Sequence, residues 1–261
     1  MPRILAIATV IGLAAAVGAL PVLSIGSLPR RLYDAMLGMA AGLMLSAATL
    51  GLLAHATEMR PGPAGITAVV VGFLVGIGVL LLLERLLPHR HAGGHPHHAE
   101  ESAADAAEAD PERARRQALL MAGAMTLHRI PEGLAIGAGF ASGAESLGWL
   151  LAFAIGFQNL CEGAVTAAPF GRAGVARGRA FGIVLSTGLV VPVAAGVGAL
   201  AGRASEAALP LLLSLAAGAL VYLTSSEIIP ESHSHGNEGA ASMGIVAGFL
   251  TTLVLRAFVG H

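Results

Sequence analysis

Eight apolar stretches, each long enough to cross a bilayer, follow one another along the chain at about residues 4–25, 33–55, 65–87, 117–140, 146–170, 178–202, 208–230 and 240–259. A hydrocarbon core about 30 Å thick is crossed by roughly 20 residues of helix. In lipid every backbone N–H and C=O must find its partner within the protein, so runs of this length cross as helices. The expectation is an all-α polytopic membrane protein, one transmembrane domain over residues 1–261 with eight transmembrane helices. An even number of crossings puts both termini on one side. Composition agrees, because only 12% of the 261 residues are charged, against about a quarter in a soluble domain. The run at 4–25 is longer than the apolar region of a signal peptide and has no clear processing site, so it reads as the first helix. A single cysteine, Cys161, excludes a disulfide framework and any four-thiolate zinc module. A net charge of -1 gives no reason to expect a nucleic-acid partner.

One connection is long. Residues 88–116 hold His89, His91, His95, His97 and His98, then Glu100, Glu101, Asp105, Glu108, Asp110 and Glu112 among alanines. A segment so poor in apolar residues cannot bury enough surface to order itself, and it reads as a disordered loop. All 15 basic residues are arginine, which we attribute to GC-biased coding. Counting them orients the chain, since cytoplasmic loops carry the excess. With the termini outside, ten arginines fall in cytoplasmic connections and four (Arg3, Arg60, Arg203, Arg256) on the other side. The histidine loop is then cytoplasmic. Segments such as Gly38–Gly42 and Gly196–Gly202 are rich in small residues that let helices approach closely; they are compatible with a homodimer without establishing one.

Ionisable groups at membrane depth are costly and mark function by default. The fourth span reads HRIPEGLAIG from His128 and the fifth QNLCEGAVTA from Gln158, an internal repeat offset by 30 residues. His128 and Glu132 are four apart, as are Gln158 and Glu162, so each pair lies on one helix face a turn apart. Opposed across a bundle, the two faces offer an imidazole, two carboxylates and an amide oxygen, a four-ligand shell for zinc or a similar divalent ion. Pro131 removes a helical hydrogen bond and frees a carbonyl nearby; broken helices of this kind mark binding sites in transporters. The plainer alternative is an intrahelical His128–Glu132 pair that only holds the core. Met44 in the second span is core packing or a weak soft ligand, and Cys161 lies off the Gln158–Glu162 face.

These residues resemble the Zrt/Irt-like (ZIP) family of divalent-metal transporters, bacterial type, over essentially the whole chain: eight spans, a histidine-rich loop after the third, an HNxPEG-like motif in the fourth and a polar pair with Glu-Gly in the fifth. The resemblance implies a ZIP-type bundle in the bacterial inner membrane. His128, Glu132, Gln158 and Glu162 would be the ligands of the transport site, joined by Met44 at the position of a family methionine. Asp34 stands at the position of a family aspartate near one mouth. The helix 7 segment containing Glu227 before a proline resembles its family counterpart. Glu227, with Glu231, His233 and His235, would then line a cytoplasmic release route together with Glu84 and His89.

The chain also departs from the family pattern. Many members bind a second metal using an asparagine after the helix 4 histidine, a helix 5 acid or amide, and a helix 6 glutamate before proline. Here those positions are Arg129, Asn159 and Val191. The Arg129 guanidinium is expected to stand where a second cation would lie and to pair with Glu132 and Glu162, leaving a mononuclear site. The resemblance thus implies a non-enzymatic carrier of Zn2+ into the cytoplasm, with Cd2+, Fe2+, Mn2+ or Co2+ also suited to such a nitrogen and oxygen shell. The alternatives are a non-transporting membrane metal sensor and an intramembrane metal-dependent hydrolase; the latter lacks HExxH and a third intramembrane histidine.

Overall fold

The computed structural model describes residues 1–26, 28–86 and 110–259. Eight helical rods run through them: α1 Pro2–Ile25, α2 Arg30–Met59, α3 Pro63–Leu86, α4 Pro111–Ala141, α5 Glu145–Arg172, α6 Arg177–Ala204, α7 Leu209–Ser232 and α8 Glu238–Val259. Among these, seven are long and apolar enough to cross a membrane by length and composition. The remaining rod, α4, begins with Glu112, Arg113, Arg115 and Arg116 and carries His128, Arg129 and Glu132 further along.

Two features differ from those read off the sequence. The stretch from Pro111 to Arg116, assigned above to the loop, is the first turn and a half of α4. Asp110 starts it by accepting from the N–H groups of Glu112 and Arg113, with Pro111 in the first position, where a missing N–H costs nothing. Four of the loop's acidic residues and all five of its histidines lie outside the described residues. The second difference concerns Pro131. No break occurs there; α4 continues through the proline to Ala141. The backbone irregularities sit elsewhere, as π-helical stretches at Ala47–Leu53 within α2 and Thr224–Ile228 within α7. Such extra-residue turns cluster at functional sites because they shift side chains around the helix without ending it.

Small residues set the packing. A methyl group on Gly38 or Gly42 of α2 would run into backbone of α8 at Ala241 and Ile245, and one on Gly244 or Gly248 would strike α2. Contacts of the same kind join α1 to α5, α4 to α6 and α3 to α7. The pairs assemble into two groups, α1, α4, α5, α6 and α2, α3, α7, α8, which meet where α5 packs on α2 and α8 and where α4 packs on α7. The α5 rod is the most enclosed, whereas α3 and α8 expose most of their apolar surface at the periphery. The polar pairs of α4 and α5 therefore lie in the interior.

Candidate metal centre

Both glutamates of the repeat are completely buried, as are Arg129 and Asn159; Gln158 is 1% exposed and His128 7%. Burial this deep means that each polar group must find a partner inside the protein or cost several kcal/mol. Gln158 links the two repeats: its Nε2 donates to Glu132 Oε1 at 2.6 Å and to Glu162 Oε1 at 2.8 Å. The second oxygens, Glu132 Oε2 and Glu162 Oε2, accept no hydrogen bond from the described residues. Two carboxylates and an amide thus converge from α4 and α5, and neither acid's second oxygen is hydrogen-bonded among the described residues.

Arg129 is held beside them. Its Nη1 donates to Asn159 Oδ1 at 2.8 Å, and Nη2 stands 3.8 Å from Glu162 Oε2. The expected pairing with Glu162 is present, but the ion pair expected with Glu132 is not formed among the described residues. Instead Asn159 takes the guanidinium's strongest bond, and its Nδ2 donates to the Ile11 carbonyl of α1 at 3.0 Å. With each end matched to a partner of opposite character, the amide has one possible orientation. It ties α4, α5 and α1 together and leaves no oxygen turned to an ion. Val191, also fully buried, presents only hydrocarbon.

His128 faces elsewhere. Its Nε2 lies 3.0 Å from Glu227 Oε2 on the π-helical stretch of α7, and its Nδ1 is buried with no hydrogen-bond partner among the described residues. Sequence reasoning placed Glu227 on a release route, whereas the fold brings it onto the site histidine and across the seam between the two helix groups. The extra residue in the α7 turn carries that signal, and periodicity along the chain does not reveal it. No three His, Cys, Asp or Glu among the described residues are close enough to hold an ion by themselves; the two carboxylates of the repeat are linked by the Gln158 amide. Met44 is buried, with its sulfur accepting from Thr224 Oγ1 at 3.6 Å. Cys161 is buried as a free thiol.

A second cluster gathers the other candidates. Fully buried Asp34 accepts from Asn237 Nδ2 at 2.9 Å, and its Oδ1 lies 2.8 Å from His235 Nδ1. Glu231 stands 3.9 Å from the other nitrogen of His235, whose ring meets Tyr33 edge-on. His233 is engaged at both nitrogens, with the Ile229 carbonyl and Ser232 at one and Ser242 at the other, and it staples α7 to α8. Glu84 sits in the last turn of α3, its side chain outside the described residues, as is His89.

The chain is similar to known zinc transporters along nearly its whole length. It is 37% identical to the zinc transporter GufA of Myxococcus xanthus over 95% of this chain and 96% of that protein. It is 36% identical to the zinc transporter ZIPB of Bordetella bronchiseptica over 95% of this chain and 78% of that one. With the human zinc transporter ZIP11 it shares 32% identity over 94% of each. Residues 2–256 match the ZIP Zinc transporter family, to which the chain therefore belongs.

Proposed function

We propose that the protein carries Zn2+ into the cytoplasm through a mononuclear site between α4 and α5. The observation that supports this best is the pair of buried carboxylates, Glu132 and Glu162, bridged through their Oε1 atoms by the Gln158 amide while neither Oε2 accepts a hydrogen bond among the described residues and Arg129 stands beside Glu162. Two buried acids against one base leave a net charge of -1 that attracts a cation; one divalent ion brings the total to +1, whereas two would bring it to +3. Turning the Gln158 amide about its last bond presents Oε1 in place of Nε2, and His128 released from Glu227 completes a nitrogen and oxygen shell of the kind zinc accepts. Met44 is a soft contact at its edge. Zinc is favoured because the relatives are zinc transporters; the donor set would also take Cd2+, Fe2+, Mn2+ or Co2+.

Arg129 is the reason for one ion rather than two. Its charge stands beside Glu162 where a second cation would sit, Asn159 is committed to Arg129 and Ile11, and Val191 supplies no ligand. From the site the ion passes Glu227 toward Asp34, Glu231 and His235 at the opposite end from the termini. The excess of arginine on that side makes it cytoplasmic, in a bacterial inner membrane. The two helix groups meet along the His128–Glu227 contact, so displacement of one against the other exposes the site alternately. Uptake of zinc by proteoliposomes tests the reading. Glu132→Ala and Glu162→Ala are each expected to abolish accumulation while the protein stays folded; accumulation at the unaltered rate in both would refute it.

A further inference from the structure

At the end of the bundle that carries both termini, a cavity of about 520 Å³ opens between α2, α5 and α8. Its lining includes the apolar Gly51, Leu147 and Leu150 and the polar His55, Glu58, Ser146 and Arg256. The size is informative. An ion with six waters, at about 30 Å³ each, fills roughly 180 Å³, whereas small-molecule pockets run from about 300 to 1,000 Å³. The charge is equally informative, because one guanidinium offsets the one carboxylate, and a neutral lining does not concentrate bare cations.

The groups are also arranged for two different tasks. His55 and Glu58 stand three residues apart on α2, on one helix face, as a nitrogen and oxygen pair suited to a divalent ion. Arg256 reaches in from the last turn of α8, its Nη1 donating to the Leu50 carbonyl in the π-helical stretch of α2 at 2.9 Å. That bond fixes the guanidinium and leaves its Nε and Nη2 edge for an anion, the fork geometry that matches a carboxylate.

We propose that this cavity binds the divalent ion as an anionic carboxylate chelate, with Arg256 gripping a free carboxylate of the chelator while His55 and Glu58 meet the ion. A zinc complex of a tricarboxylate carries net charge -1 and presents both faces at once. The apolar lining at Leu147 and Leu150 offers a carboxylate no hydrogen bond, so in this proposal the chelator stays in the cavity and the ion alone moves on toward Gln158. The inference rests on the carrier reading but addresses a site remote from Glu132 and Glu162.

The test uses zinc citrate as probe on the full chain in phosphatidylcholine vesicles, with calorimetric binding and radiolabelled zinc uptake measured side by side. Arg256→Gln is expected to raise KM for zinc citrate at least ten-fold while changing KM for buffered free zinc less than two-fold, and to abolish the calorimetric binding of the complex. Glu132→Ala is expected to bind zinc citrate normally and to accumulate no zinc. Equal changes in KM for free and chelated zinc would overturn the proposal, as would wild-type uptake from citrate no faster than the free zinc present accounts for. Binding that phosphatidylglycerol in the vesicles abolishes would identify the occupant as a lipid headgroup and overturn it likewise. Zinc accumulation by Glu132→Ala would instead overturn the central site and leave the cavity's role standing.

Discussion

If the Arg129 guanidinium takes the place of a cation, removing it must harm the metal-free protein more than the metal-loaded one. Arg129→Met keeps the length of the side chain and deletes its charge. The loss includes the 2.8 Å bond to Asn159 Oδ1 and the attraction to Glu162 Oε2 across 3.8 Å. At an effective dielectric of about 20 that attraction is worth roughly 4 kcal/mol. Stripping one partner from a buried ion pair costs about 3–5 kcal/mol by direct comparison, so the two routes agree. The metal-free variant should therefore be less stable by about 3–5 kcal/mol. A bound divalent ion supplies the missing charge, so the loaded variant loses much less, and the difference appears as affinity. At about 1.4 kcal/mol per decade, zinc binding tightens by roughly two to three orders of magnitude. The assay is zinc titration of the purified chain with residues 88–109 replaced by a glycine–serine linker, with unfolding midpoints recorded with and without zinc. One ion per chain is expected before and after substitution. Equal destabilisation with and without zinc, or two tightly held ions in the unaltered protein, would refute the reasoning.

Arg129→Asn is expected to leave the stoichiometry at one ion, because Val191 still provides no ligand; a second ion in equilibrium dialysis would contradict that account of the pocket. Gly42→Leu forces a side chain into the backbone of α8 at Ile245, and overpacking of this kind typically costs about 1–3 kcal/mol, read as a lowered unfolding midpoint in detergent with loss of uptake. Cys161 is 6% exposed, so maleimide is expected to label it only after denaturation; rapid labelling of the folded protein would place the thiol on a water-accessible path.

Much of the molecule was legible along the chain because the information was local. Eight apolar runs become eight rods since lipid allows no other use of their backbones, and the 30-residue repeat of polar pairs announces that α4 and α5 share one task. His128, Glu132, Gln158 and Glu162 could be singled out because ionisable residues in such runs are rare and therefore conspicuous. The error at Pro131 has a physical cause. A proline in a long helix deprives only the Leu127 carbonyl of its donor, and neighbouring packing carries the helix past it.

What the order of residues alone determined is the fold class and the buried ionisable pairs. Each of these follows from residue type and spacing within one helix. Only the tertiary structure decided that Gln158 bridges both carboxylates, that Asn159 is committed to Arg129 and to the Ile11 carbonyl, and that Glu227 reaches His128 across the seam between the helix groups. Those contacts depend on the rotation of one helix against another. A single extra residue in a π turn alters that rotation, and helical periodicity contains no record of it.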